Sequence, residues 1–157
     1  MRLLVISDSH KRGDIVDRII RREKDAGHIF FLGDITSDIE DFQYEYTDRV
    51  FHIVSGNCDF FSEYPAVDLA KVDGINIIYT HGHTMSVKHS TALLAAAARE
   101  RGCKIALYGH THIPYIKYED WLYIVNPGSL SQSREGACSY AVIDIEESGI
   151  MPIIKKV

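Results

Sequence analysis

Cysteine is scarce in this chain. Only Cys58, Cys103 and Cys138 occur among 157 residues, and none are in a C-x-x-C spacing. An odd, scattered set argues against a disulfide framework or a structural zinc knot and points to a reducing compartment, so a cytoplasmic location is expected. Long apolar runs are also missing. The longest, such as Leu93 to Ala98, fall far short of the roughly 20 residues that span a bilayer. No secretory leader is expected, because Met1 and Arg2 lead straight into a strand pattern. Positive charge is the minority, with 17 Lys and Arg against 22 Asp and Glu and a net charge of -5. That balance argues against stable nucleic-acid binding through phosphate neutralisation. It leaves room for a small phosphate-bearing substrate, since bound metal ions reverse the local sign. Linkers, repeats and low-complexity segments are absent, so residues 1–157 read as one domain.

What is present is an ordinary globular composition, 46% apolar and 25% charged. Arg2 to Ser7 reads as a buried strand, Ile15 to Ala26 as a helix closed by Gly27, and His28 to Leu32 as a second strand, together a βαβ unit with a parallel pair. Ile35 to Asp48 reads as a loop with a short helix, and Val50 to Val54 as the third strand. Val67 to Val72 and Ile75 to Thr80 flank Asp73-Gly74, a hairpin signal. Ser90 to Arg101 is the clearest helix, capped by Ser90 or Thr91 and stopped by Gly102. Strands follow at Lys104 to Tyr108, Tyr115 to Tyr118, Trp121 to Val125, Ser139 to Ile145 and Ile150 to Lys156. The first two-thirds is α/β in character and the last third all-β, which one compact α/β domain with two sheets and covering helices accommodates.

Five of the apolar runs end in residues suited to chemistry: Asp8-Ser9-His10, Gly33-Asp34, Gly56-Asn57, His81-Gly82-His83 and Gly109-His110-Thr111-His112. An extended His110-x-His112 would place both imidazoles on one face. Taken singly, each piece has a plain reading: a solvated histidine pair, a cap at Asp8, a turn at Asn57. Five strands delivering such residues from their C-terminal ends are hard to explain as core packing. Mixed oxygen and nitrogen donors suit first-row divalent ions such as manganese, iron, cobalt, nickel or zinc. Thiols are too few for a sulfur site, and imidazoles too many for a pure magnesium or calcium cage. Two adjacent ions sharing a carboxylate would use seven of the donors, and two-metal sites serve phosphate-ester hydrolysis.

The ordered set, with its SDSH, GNCD, THGH, GHTH and NPGS motifs, resembles the calcineurin-like metallophosphoesterases from Leu3 to Ser129, and within them the small single-domain phosphodiesterase branch. The resemblance implies a four-layer α-β-β-α sandwich, two mixed sheets flanked by helices. It implies one ion held by Asp8, His10, Asp34 and His112 and a second by Asp34, Asn57, His81 and His110, with Asp34 bridging and a metal-bridging hydroxide as nucleophile. Mn2+ or Ni2+ is the favoured ion, with Fe, Co, Zn or Mg as alternatives. Asn57, Asp59 and His83 are the candidate catalytic residues, His83 either touching phosphate or leaving group or supporting a ligand. The chain departs from the wider family at Ser37, in place of the Asp of GD-x-x-D, and at Cys58, in place of the His of GNH. A neutral thiol is a weak proton donor, so good leaving groups and phosphodiesters are favoured. The expected function is metal-dependent hydrolysis of a small or nucleotide-like phosphodiester. A phosphomonoesterase is the first alternative, and a non-catalytic protein-binding scaffold on the same fold the second. His28, His52 and His89 read as structural, Cys103 and Cys138 as core, and the Asp38, Glu40, Asp41 run as a solvated face. Phe60, Phe61 and Tyr64 read as a substrate wall or, preferably, a partner contact, which makes a homodimer the expected assembly.

Overall fold

The computed structural model describes residues 1–157. In chain order it contains β1 (Arg2–Ile6), α1 (Gly13–Arg22), β2 (His28–Phe31), α2 (Phe42–Glu45), β3 (Val50–Ile53), β4 (Val67–Val72), β5 (Ile75–Thr80), α3 (Ala92–Glu100), β6 (Ile105–Leu107), β7 (Tyr115–Glu119), β8 (Leu122–Asn126), β9 (Ser139–Glu146) and β10 (Gly149–Lys156). Two five-stranded sheets result, ordered β10-β9-β1-β2-β3 and β4-β5-β6-β8-β7. Both are mixed. β1, β2 and β3 run parallel, β9 is antiparallel to β1, and β10 is antiparallel to β9. β5, β6 and β8 run parallel, with β4 and β7 as antiparallel edges.

The alternation along each strand sorts the core into three layers. Leu3, Val5, Phe30 and Leu32 of the first sheet meet Ile77, Tyr79, Ile105, Leu107 and Val125 of the second. Leu4, Ile6, Ile29 and Phe31 face the other way, onto Ile15, Val16, Ile19 and Ile20 of α1. Ile78, Ala106 and Ile124 pack against Leu94, Ala95 and Ala98 of α3. Helix, sheet, sheet and helix therefore stack as the expected four-layer α-β-β-α sandwich. No helix is long and apolar enough to cross a membrane.

The Asp73-Gly74 hairpin forms as its residues dictate, both in the left-handed region. α1 is shorter than its apolar spacing suggests, ending at Arg22 rather than Ala26. The buried Glu23 carboxylate turns inward to accept from Tyr140 Oη at 2.8 Å and Lys155 Nζ at 2.8 Å, and the chain turns with it. Trp121 leaves the strand expected for it and sits in the β7–β8 turn with Asp120, both at positive φ.

Candidate metal centre

The loops that follow β1, β2, β3, β5 and β6 meet on one rim of the sandwich, so both sheets contribute. Asp8 and His10 follow β1, Asp34 follows β2, Asn57 follows β3, His81 follows β5, and His110 and His112 follow β6. The extended geometry expected for His110 and His112 does not occur. Both have left-handed backbone, as do Asp8, His10 and Asp34, with φ between 47° and 67°. Non-glycine residues hold such angles at a cost of order 1–3 kcal/mol each, and only where the surroundings over-determine them. This turned backbone sends His110 and His112 to two different groups of donors rather than to one strand face.

In the first group, donor atoms of Asp8, His10, Asp34 and His112 all lie within 4.8 Å of one another. His112 Nδ1 is 2.7 Å from the Gln132 carbonyl, which can only accept, so Nδ1 carries the proton and Nε2 presents its lone pair. That lone pair lies 3.0 Å from Asp8 Oδ1 and 3.3 Å from His10 Nε2. Asp8 Oδ2 is engaged by Ser7 Oγ at 2.5 Å and the His110 N–H at 3.1 Å. Asp8 Oδ1 is buried and has no hydrogen-bond donor.

The second group repeats the device. His81 Nδ1 is 2.7 Å from the Leu32 carbonyl, which aims the Nε2 lone pair at Asn57 Oδ1 at 3.2 Å, His110 Nδ1 at 3.1 Å and Asp34 Oδ2 at 3.6 Å. Asp34 belongs to both groups, and its other oxygen accepts from the Cys58 N–H at 3.0 Å. Acceptor atoms crowded at such distances repel unless a cation lies among them, so the donor set fits divalent metal. The seven residues expected as ligands are thus brought together on one rim.

A family model for the calcineurin-like phosphoesterase superfamily domain matches residues 1–148. The chain belongs to the calcineurin-like phosphoesterases. It is 28% identical over 148 residues to a Bacillus subtilis (strain 168) protein named probable metallophosphoesterase YsnB, covering 93% of this chain and 85% of that one. A solved conserved protein of Streptococcus pneumoniae TIGR4 superposes with a TM-score of 0.80 at 27% identity, covering 98% of this chain and 97% of the other. Vps29 of Entamoeba histolytica, crystallised with Zn2+, superposes with a TM-score of 0.77 at 21% identity over 100% and 98% of the two chains, a likeness of fold.

The candidate ligands stand on loops that other side chains hold in place. Asp59, singled out as a catalytic candidate, has its carboxylate facing four backbone amides: Gly56 at 2.7 Å, Asp34 at 3.0 Å, Ile35 at 3.1 Å and Thr36 at 2.8 Å. It ties the Asn57 loop to the Asp34 loop. Asp38 is not part of a solvated face. Its carboxylate accepts from Ser9 Oγ at 2.6 Å and the Arg12 N–H at 3.1 Å, steadying the turn that carries His10. Asn126 and Ser129 of NPGS reach across the rim: Asn126 Nδ2 donates to the Gly109 carbonyl at 2.9 Å and Ser129 Oγ to the Asp8 carbonyl at 2.8 Å. Gly109 must lack a side chain, because a Cβ there would collide with Ser7 Oγ and crowd Asp8 Oδ2. Sequence reading missed these roles of Ser7, Asp38 and Asn126; the one signal for Asn126 and Ser129 was the NPGS motif itself.

Burial and neighbouring groups shift the protonation of several polar residues here. Burial and the Asp34 carboxylate push the Cys58 thiol up to about 11, so it stays a neutral S–H. Burial and His81 hold His83 below the usual imidazole range, and bring His110 down to about 4. His83 stands with its ring 5.5 Å from that of His81 and 6.3 Å from that of His110, its Nδ1 buried and without a partner.

Proposed function

We propose that residues 1–157 form one calcineurin-like domain acting as a metal-dependent phosphodiesterase on a small or nucleotide-like diester, with two divalent ions per chain, manganese or nickel favoured. The observation that carries this reading is the pair of lone-pair clusters sharing Asp34. Asp8, His10, Asp34 and His112 would hold one ion, and Asp34, Asn57, His81 and His110 the other. Bound there, two ions would lower the pKa of water and neutralise the non-bridging phosphate oxygens.

The chain's own groups supply orientation. Backbone amides and carbonyls fix the imidazole tautomers and the Asp34 carboxylate before substrate arrives. His83, neutral and unpartnered at Nδ1, is placed to donate to or accept from a phosphate oxygen or leaving group. Cys58 offers only a weak donor where the wider family has histidine, which favours esters whose leaving group needs little protonation. A small phosphate-ester substrate fits the same site, and the net charge of -5 disfavours stable nucleic-acid binding.

Hydrolysis of bis(p-nitrophenyl) phosphate and of p-nitrophenyl phosphate, with metal stripped and then restored ion by ion, tests the reading. The expected result is metal-dependent diester turnover exceeding monoester turnover and lost in Asp34→Asn. Faster monoester turnover would support the phosphomonoesterase alternative. Protein that binds no ion and turns over neither ester would contradict both and favour the scaffold.

A further inference from the structure

Beside the cluster lies a groove whose inner wall is made by Lys11, Ile35 and Cys58, each the residue immediately after a candidate ligand. Phe60 and Phe61 line it further out, and a second depression lined by Tyr44 and Tyr64 shares Glu40, Phe61 and Ser62 with it. Phe60 is 85% exposed and Phe61 fully so, an unusual state for two consecutive phenylalanines. The loop carrying them is held, not loose. Asp59 pins its root through four amides. At its far end the Tyr64 carbonyl accepts from Ser55 Oγ at 2.9 Å, and Tyr64 Oη accepts from Gln43 Nε2 of α2 at 2.9 Å. The anchored loop holds two exposed aromatic rings beside the cluster, where a flat ring can stack on them.

Lys11, next to His10, is the one cation of this lining; Glu40 and Asp59 stand with it, and Asp41 and Glu63 line the neighbouring depression. Further phosphates would be repelled there, and an uncharged ring with amino donors would be welcome.

We propose that this groove is a substrate subsite in which Phe60 and Phe61 stack on the nucleobase, or an equivalent flat aromatic arm, of a nucleoside phosphodiester whose phosphate lies at the metal cluster. The proposal rests on the phosphoesterase reading and narrows its substrate class. It also sets the aromatic loop to substrate binding rather than to a subunit contact.

Calorimetry on manganese-loaded protein, with adenosine 5′-monophosphate and methyl phosphate as probes, tests it. The nucleotide is expected to bind about tenfold or more tightly than methyl phosphate, as one or two stacked rings provide. The double variant Phe60→Ala, Phe61→Ala is expected to remove that difference while leaving methyl phosphate affinity and manganese content unchanged. Both side chains are exposed, so folding is retained. Equal binding of the two probes in the wild type, or an unchanged nucleotide affinity in the variant, overturns the groove. So does a wild-type dimer, seen by sedimentation, that the variant splits. A wild type that binds no methyl phosphate and turns over no diester fails differently: it overturns the phosphoesterase reading, and the subsite with it.

Discussion

Single residues decide whether the cluster can form. Gly109 is the tightest point, since any side chain there meets Ser7 and the Asp8 carboxylate. Gly109→Ala is expected to leave a folded protein by circular dichroism and to weaken metal binding more than tenfold by calorimetry. Asp59 acts one step further out. Asp59→Asn would turn amide hydrogens toward backbone N–H groups that now share a carboxylate. Loss of about 2 kcal/mol of stability is expected in urea unfolding, from the replacement of charge-assisted bonds, along with weaker metal binding. The candidate ligands stand out in the sequence because their chemistry is written in residue type: Asp8, His10, Asp34, Asn57, His81, His110 and His112 lie at the ends of apolar runs. Their conformation was not legible. Period-two reasoning treats His110-x-His112 as extended, whereas both residues are turned at positive φ by long-range contacts no local pattern records.

At the scale of elements, the strands were legible nearly to the residue, since buried parallel strands are short runs of Val, Ile, Leu and Phe. The connections between them were less so. Asn57 to Pro65 reads as a loop, and only the fold shows it to be a brace between β3 and α2. The NPGS turn behaves likewise. Asn126 is buried, binds the Gly109 carbonyl and the Thr111 hydroxyl at 3.0 Å, and accepts from the Gly128 N–H at 2.9 Å. Asn126→Ala leaves those partners unmatched in the interior and is expected to cost about 2–3 kcal/mol. Thermal unfolding would show it as a lowered Tm, and metal titration as weaker binding, because the loop bearing His110 and His112 loses its tie. α1 stopped short of its apolar pattern for a similar reason, the inward turn of Glu23 toward residues more than 100 positions away.

The whole molecule joins two sheets through one apolar layer, and the His28–His52 pair lies at the margin of that layer. His28 Nδ1 is 2.9 Å from His52 Nε2, and the His52 ring stacks on Phe30 at 4.3 Å. Burial, then His28, brings His52 down to about 4, and burial also lowers His28. Both are held neutral in the fold and take up protons more readily once unfolded. Their contribution is therefore complete above the ordinary imidazole range near pH 6.5 and is lost as pH falls toward about 4. Allowing for solvent screening at these half-buried rings, the loss is on the order of 2 kcal/mol. Urea unfolding from pH 7 to pH 4 should show a smaller decline in His52→Phe than in the wild type, and equal declines would contradict the assignment.

The central claim is that two ions share Asp34. The most direct measurement titrates metal-free protein with Mn2+ while bound ion and bis(p-nitrophenyl) phosphate hydrolysis are followed together. Two ions per chain, with turnover rising only as the second is taken up and absent in Asp34→Asn, is the predicted result. Full activity at one ion per chain, or two ions bound with equal affinity in Asp34→Asn, would contradict it.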